Sequence, residues 1–175
     1  MRPALLLVVL LAGLPRAPAV AATWQLAAGP TRSDGSAVEL ARASDRWDVA
    51  LGYISRQSVN VRTLQDTCYA TLGGPTCITE AWTATRAVGS YGYLSIQRRH
   101  SFRRRGSLRP AVGLGLVANS DTNPYVSSPV TFSLSAGLAI GDRWSLEWRH
   151  FSNAGLEQPN LGQDMLLFRA RFGSD

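Results

Sequence analysis

The chain has 175 residues, with eighteen arginines, no lysine and twelve acidic residues, for a formal net charge of +6. That length suits one domain, and two cysteines with two distant histidines do not make a zinc pattern. No segment supplies some twenty uninterrupted apolar residues, which excludes a membrane-crossing helix.

The N-terminus opens with Arg2, an apolar stretch over residues 4–14, Pro15, and the small-residue run Ala17-Pro18-Ala19-Val20-Ala21-Ala22. This is the order of a secretory signal peptide. Cleavage is expected near Ala22, with Ala19 and Ala21 as alternatives, leaving a mature domain over residues 23–175. Losing Arg2 and Arg16 leaves sixteen basic residues against twelve acidic, a net charge of +4. Charge alone admits nucleic acid as a partner, but an exported chain rarely meets it. The densest basic run, residues 98–105, reads as a turn between strands and not as a recognition helix. No nucleic-acid partner is expected, and His100 in that run reads as a turn residue.

Eight segments of alternating or β-rich character follow, at about 24–29, 37–43, 47–56, 82–99, 108–118, 130–140, 143–151 and 164–172. None shows a sustained helical period. The fourth is too long as written, and its start is expected near Arg86. Its faces are ambiguous, because Tyr91 and Tyr93 oppose Leu94 and Ile96. Before it lie Cys68 and Cys77 in a Gly/Pro/Thr-rich loop, expected to pair in an oxidising compartment. Closing so short a loop contributes roughly 2–3 kcal/mol in chain entropy, enough to order a loop but not to carry a fold.

The connections alternate in length. Long ones cover about 30–36, 57–81, 119–129 and 152–163; short ones cover 44–46, 100–107 and 141–142. With an even strand number, every long loop falls at one end of a closed barrel, the outer-membrane pattern of long external loops and short periplasmic turns. The sixth segment sets Val130, Phe132, Leu134, Ala136, Leu138 and Ile140 against Thr131, Ser133, Ser135, Gly137 and Ala139. A soluble lipocalin-like barrel has the same alternation turned inside out, so alternation alone does not separate the two. Loop asymmetry favours an all-β, eight-stranded antiparallel transmembrane barrel. Inside it, Glu147, Arg149, Arg169 and Arg171 are expected to form an ion-pair network.

The last two segments carry the chemistry. Every second residue from Trp144 reads Trp144, Leu146, Trp148, His150, Ser152, so an apolar stripe ends in an imidazole and a hydroxyl. The facing strand alternates Asp164, Leu166, Phe168, Ala170 and Phe172. A hairpin register pairing Trp148 with Leu166 and Leu146 with Phe168 also sets His150 opposite Asp164, about 4.5–5.5 Å apart at Cβ. Ser152 lies about 6.6 Å along the same face by strand rise. A carboxylate, an imidazole and a hydroxyl in this order suit acyl transfer: Asp164 orients, His150 acts as base and Ser152 attacks. Asn153 and Gly155, in the turn that follows, are candidates for stabilising the oxyanion. Trp148 is a candidate substrate contact, and Trp144 reads as an aromatic-belt anchor.

The run His150-Phe151-Ser152-Asn153-Ala154-Gly155-Leu156-Glu157-Gln158-Pro159-Asn160, with Gly162 and Asp164 beyond it, resembles the C-terminal motif of the PagL-type lipid A 3-O-deacylases. The resemblance implies an eight-stranded outer-membrane barrel that hydrolyses the 3-hydroxyacyl ester at the 3-position of lipid A in lipopolysaccharide. It implies a triad of His150, Ser152 and Asp164 outside the barrel, with Asn153 stabilising the oxyanion. The partners it implies are lipopolysaccharide and the surrounding outer-membrane lipids. This chain departs from the family pattern at Asp164, where glutamate is usual, and in ending Phe172-Gly173-Ser174-Asp175 instead of on an aromatic.

No metal-ligand cluster is visible, so activity is expected without a cofactor. A non-enzymatic barrel that binds lipid or acts as an adhesin, and a phospholipase or general esterase on the same fold, remain alternatives. Oligomeric state is left open, a homodimer included.

Overall fold

In the computed structural model of the protein, residues 23–44, 46–71, 74–158 and 160–172 are described. The expected signal peptide and its cleavage site lie outside the described residues. Among the described residues ten strands run in order: β1 (Thr23–Pro30), β2 (Ser36–Ala43), β3 (Trp47–Ile54), β4 (Gln57–Thr71), β5 (Gly74–Val88), β6 (Tyr91–Ser101), β7 (Leu108–Asn119), β8 (Val130–Ile140), β9 (Trp144–Ser152) and β10 (Gln163–Phe172). Eight of them close a barrel in the order β1-β10-β9-β8-β7-β6-β3-β2, every neighbouring pair antiparallel.

The expected eight-stranded barrel is present, with one correction to its parts. Residues 57–81, expected as a loop, begin a second sheet in which β4 and β5 pair from Gln57–Val88 to Thr71–Gly74. The expected fourth segment therefore divides. Its first residues belong to β5, and the barrel strand starts at Tyr91, not near Arg86. The apolar alternation that marks a barrel wall is missing from the hairpin. Described side chains beyond its base are mostly exposed, and Cys68 is bonded to Cys77 near its far end.

Burial settles which way the barrel faces. Leu26, Leu40, Leu51, Leu114, Leu134 and Phe168 are exposed on the outer wall, whereas Gln25, Gln97, Ser133, Ser135 and Arg149 are buried in the lumen. A soluble barrel would leave that apolar wall in water; in hydrocarbon it is matched to its solvent, and closure leaves no unpaired strand edge. Trp24, Trp47, Trp144 and Phe172 ring the short-turn end, and Tyr53 and Phe132 lie toward the loop end, as interfacial aromatic girdles do. In β6, Tyr91 and Tyr93 point inward while Leu94 and Ile96 take the outward positions. His100 belongs to the end of β6, edge-on to Phe102, and not to the turn.

The lumen is filled by charge. Arg149 meets Glu39 and Glu147, and Arg169 meets Glu39, Asp48 and Glu147. Arg99 adds contacts to Asp48 and Glu147. The expected network is thus corrected in membership. Arg171 is exposed at the rim and makes no ion pair among the described residues, so Arg99, Glu39 and Asp48 complete the set. Above this plug, toward the long loops, Val126 from the β7–β8 connection packs with Tyr91, Phe151, Met165 and Leu167 and closes the other end.

Candidate active site

Strand β9 runs outward from its short turn, and its alternation places Trp144, Leu146, Trp148, His150 and Ser152 on the lipid side. The β9–β10 register is Leu146↔Phe168, Trp148↔Leu166 and His150↔Asp164, so hydrophobic matching lower in the hairpin sets the polar pair at its end. His150 Nδ1 and Asp164 Oδ1 are 2.9 Å apart, with both side chains about a quarter to a third exposed. A carboxylate at Nδ1 leaves Nε2 as the nitrogen free for chemistry. Trp148 stacks on the imidazole, centroids 6.0 Å apart and planes 19° from parallel.

Ser152 is the last residue of β9 and pairs across to Phe132. Its Oγ accepts hydrogen bonds from Ala154 N at 3.1 Å and from Asn160 Nδ2 at 3.0 Å. Among the described residues no hydrogen bond joins Ser152 to His150. The strand brings the two side chains to one face two residues apart, and Oγ is directed toward the loop.

Asn153, one residue on, has the opposite parity and is buried. Its Nδ2 donates to Ser127 Oγ at 2.8 Å and to Glu157 O at 2.9 Å, and its Oδ1 accepts from Gly155 N at 2.9 Å. Both expected oxyanion groups are therefore occupied in bracing the turn. The N–H groups that point at Ser152 Oγ come instead from Ala154 and Asn160. Ala154 has φ 57°, a conformation costly for a residue with a Cβ, in the turn that sets its N–H against Ser152 Oγ.

The rest of the β9–β10 loop is tied down from outside. Ser127 Oγ donates to Glu157 O, and Leu161 N donates to Pro124 O, so the β7–β8 connection carries the loop. Gly162, at φ 70°, passes directly under the imidazole: a Cβ there would sit 2.4 Å from His150 Cε1. Arg32, from the β1–β2 connection, approaches Asp164 Oδ2 at 3.6 Å while its backbone N donates to Asp164 O at 3.0 Å. The roles of Asn160, Gly162 and Arg32 do not follow from the sequence pattern. Asn160 and Gly162 stand within or beside the family motif, but a loop has no period from which to read direction. Arg32 is brought in by ring closure between β1 and β10, which no local pattern reports.

Fold and site together define a small outer-membrane barrel bearing a carboxylate–imidazole pair and a serine on its lipid face. A family model described as lipid A 3-O-deacylase (PagL) matches residues 21–172, and the chain belongs to that family of outer-membrane hydrolases. Among solved structures it is similar to the crystal structure of the outer membrane enzyme PagL, at 20% identity, covering 87% of this chain and 99% of that one with a TM-score of 0.52. It is also similar to a de novo designed transmembrane β-barrel (13% identity, 86% and 94% covered, TM-score 0.44) and to the Yersinia pestis outer membrane protein Ail (14% identity, 86% and 99% covered, TM-score 0.41). At 20% identity the likeness to the PagL crystal structure speaks for the fold alone. No curated protein matches.

Proposed function

We propose that this chain removes the 3-hydroxyacyl group from the 3-position of lipid A, with Ser152 as nucleophile, His150 as base and Asp164 as orienting carboxylate, after loss of residues 1–22 on export. The observation that carries this reading is the 2.9 Å His150–Asp164 pair, set two residues from Ser152 on the lipid-facing wall at the loop end. A rotation of the Ser152 side chain away from Asn160 brings Oγ toward His150 Nε2. Nε2 takes the hydroxyl proton as Oγ bonds to the ester carbon, and Asp164 holds Nδ1–H and stabilises the imidazolium. The tetrahedral intermediate collapses with departure of the sugar oxygen, which takes the proton back from His150. Water, deprotonated by the same imidazole, then frees the fatty acid from Ser152.

The oxyanion needs donors beside the nucleophile and not at a distance. Ala154 N–H and Asn160 Nδ2 already lie 3.1 Å and 3.0 Å from Ser152 Oγ, which favours them over Asn153 and Gly155 for that work. A site on the outer wall meets an ester at the headgroup boundary by lateral diffusion, without extracting the lipid. Polar groups are tolerable there, since a charge on the lipid face costs only about 0–1 kcal/mol near the interface. Trp148, stacked on the imidazole, is placed to touch the acyl chain as it arrives.

Mass spectrometry of lipid A from cells expressing the wild-type chain should show loss of one 3-hydroxyacyl group. Ser152→Ala should fold normally and lose at least about 10³-fold in activity. Asp164→Ala should lose less, because orientation is partly replaceable. An undiminished Ser152→Ala enzyme would overturn the assignment, and release of phospholipid acyl chains instead would redirect it to a phospholipase.

A further inference from the structure

The lumen plug is electrically balanced by itself. Glu39, Asp48 and Glu147 face Arg99, Arg149 and Arg169, with contacts no longer than 3.9 Å. Below it, at the short-turn end, a cavity is lined by Arg99, Arg109, Arg143, Arg169 and Arg171 together with Trp144. Arg109, Arg143 and Arg171 have no carboxylate partner among the described residues, and the one acid on the cavity wall, Asp142, is held by Arg104 at 3.1 Å. Arg169 is 1% exposed and its Nε has no hydrogen-bond partner among the described residues. Three surplus positive charges thus converge on one opening, with an unmatched guanidinium N–H in its wall.

We propose that this periplasmic mouth is a binding site for a phosphate group. Like charges held together repel, and a polyvalent oxyanion among them removes the repulsion while accepting several hydrogen bonds. Guanidinium forks match the oxygens of a phosphate bidentately, which a single compact cation does not. Position narrows the source further. Trp144 stands on the lipid face, stacked on Phe168 with centroids 5.2 Å apart, so the cavity reaches from the lumen mouth to the edge of the inner leaflet. A phospholipid headgroup can enter from that edge, and free phosphate can enter from the periplasm. The site lies at the opposite end of β9 from His150 and is independent of the deacylation chemistry.

The test uses the full mature protein in dodecyl maltoside micelles, whose headgroup carries no phosphate, reading the guanidinium N–H resonances of the mouth arginines. One arm adds inorganic phosphate, and the other dopes the micelles with phosphatidylglycerol. A saturable shift in either arm supports the site, and the arm that responds names the source. The double variant Arg143→Gln/Arg171→Gln should weaken binding at least about tenfold, equivalent to about 1.4 kcal/mol. Arg103→Gln/Arg105→Gln, with the same charge loss outside the cavity, should leave it unchanged, and both should keep wild-type deacylation. If the first pair fails to fold, Arg171→Gln alone gives the reading, since its side chain is exposed at the rim. No shift with either probe, or equal weakening by the two pairs, would overturn the proposal.

Discussion

At the scale of single residues the site depends on a position that has no side chain. Gly162 occupies a left-handed conformation and lies where any Cβ would strike the imidazole, 2.4 Å from Cε1 and 3.1 Å from Nε2. Gly162→Ala therefore carries a backbone strain of about 1–3 kcal/mol and displaces His150 from Asp164. Displacements near 1 Å cost about 10²-fold in rate, so this variant should lose activity by about that factor while its barrel still migrates as the folded form on unheated gels. Near-normal hydrolysis by Gly162→Ala would show that the imidazole is not held where the structure places it. The triad candidates themselves were legible because strand parity and hairpin register are properties of sequence alone: His150↔Asp164 follows once Trp148 meets Leu166. The direction of Ser152 Oγ and the bonds that occupy Asn153 were not legible, since both depend on a loop held by Ser127 and Pro124 from another connection.

Among the elements, the β4–β5 hairpin is the part that the sequence hid. Each strand is 15 residues long, so it extends about 50 Å at roughly 3.3 Å per residue. Its β-branched Thr and Val content suits a strand, but with solvent on both faces there is no apolar stripe to reveal the period, and Gly73, Gly74 and Pro75 read as a loop. Strands such as β8 were legible to the residue because one side met lipid and the other met the lumen. The hairpin joins the rest through its base, where Val59 and Val88 pack with Tyr125 and the Tyr125 hydroxyl donates to Ser58 O. Excising residues 61–84 and joining the ends with an Asn-Gly turn should leave both the barrel and lipid A hydrolysis intact. Loss of folded gel mobility in the shortened chain would assign the hairpin a structural role, and loss of product mass alone a role in handling substrate.

For the molecule as a whole, stability rests on a lumen in which six charged groups are mutually neutralised. Arg149 is fully buried between Glu39 and Glu147, so Arg149→Met leaves two carboxylates without that guanidinium. Breaking a buried pair by removing one partner costs about 3–5 kcal/mol. Urea unfolding from phosphatidylcholine vesicles should show a loss of that size, and a loss below about 1 kcal/mol would mean that the network contributes shape and not stability. Sequence alternation places charge inside the barrel but does not tell Arg171 from Arg99. Both have inward parity, and only their height along the barrel axis, fixed by stagger between strands, separates plug from rim.

The seam between the first and last barrel strands has its own consequence for when the protein becomes competent. Trp24 pairs with Phe172 and Thr31 with Met165, and across this same junction Arg32 reaches Asp164. An unzipped sheet would still hold the β9–β10 hairpin, but Asp164 would lack its neighbour from the opposite margin of the ribbon. Hydrolysis should therefore reach its full rate only with cyclisation of the sheet, so a chain in transit through the periplasm is slow toward the lipids it passes. Refolding into vesicles, followed at once by fatty-acid release and by the appearance of the compact species, would show the two rising together; release at full rate that precedes the compact species would refute it.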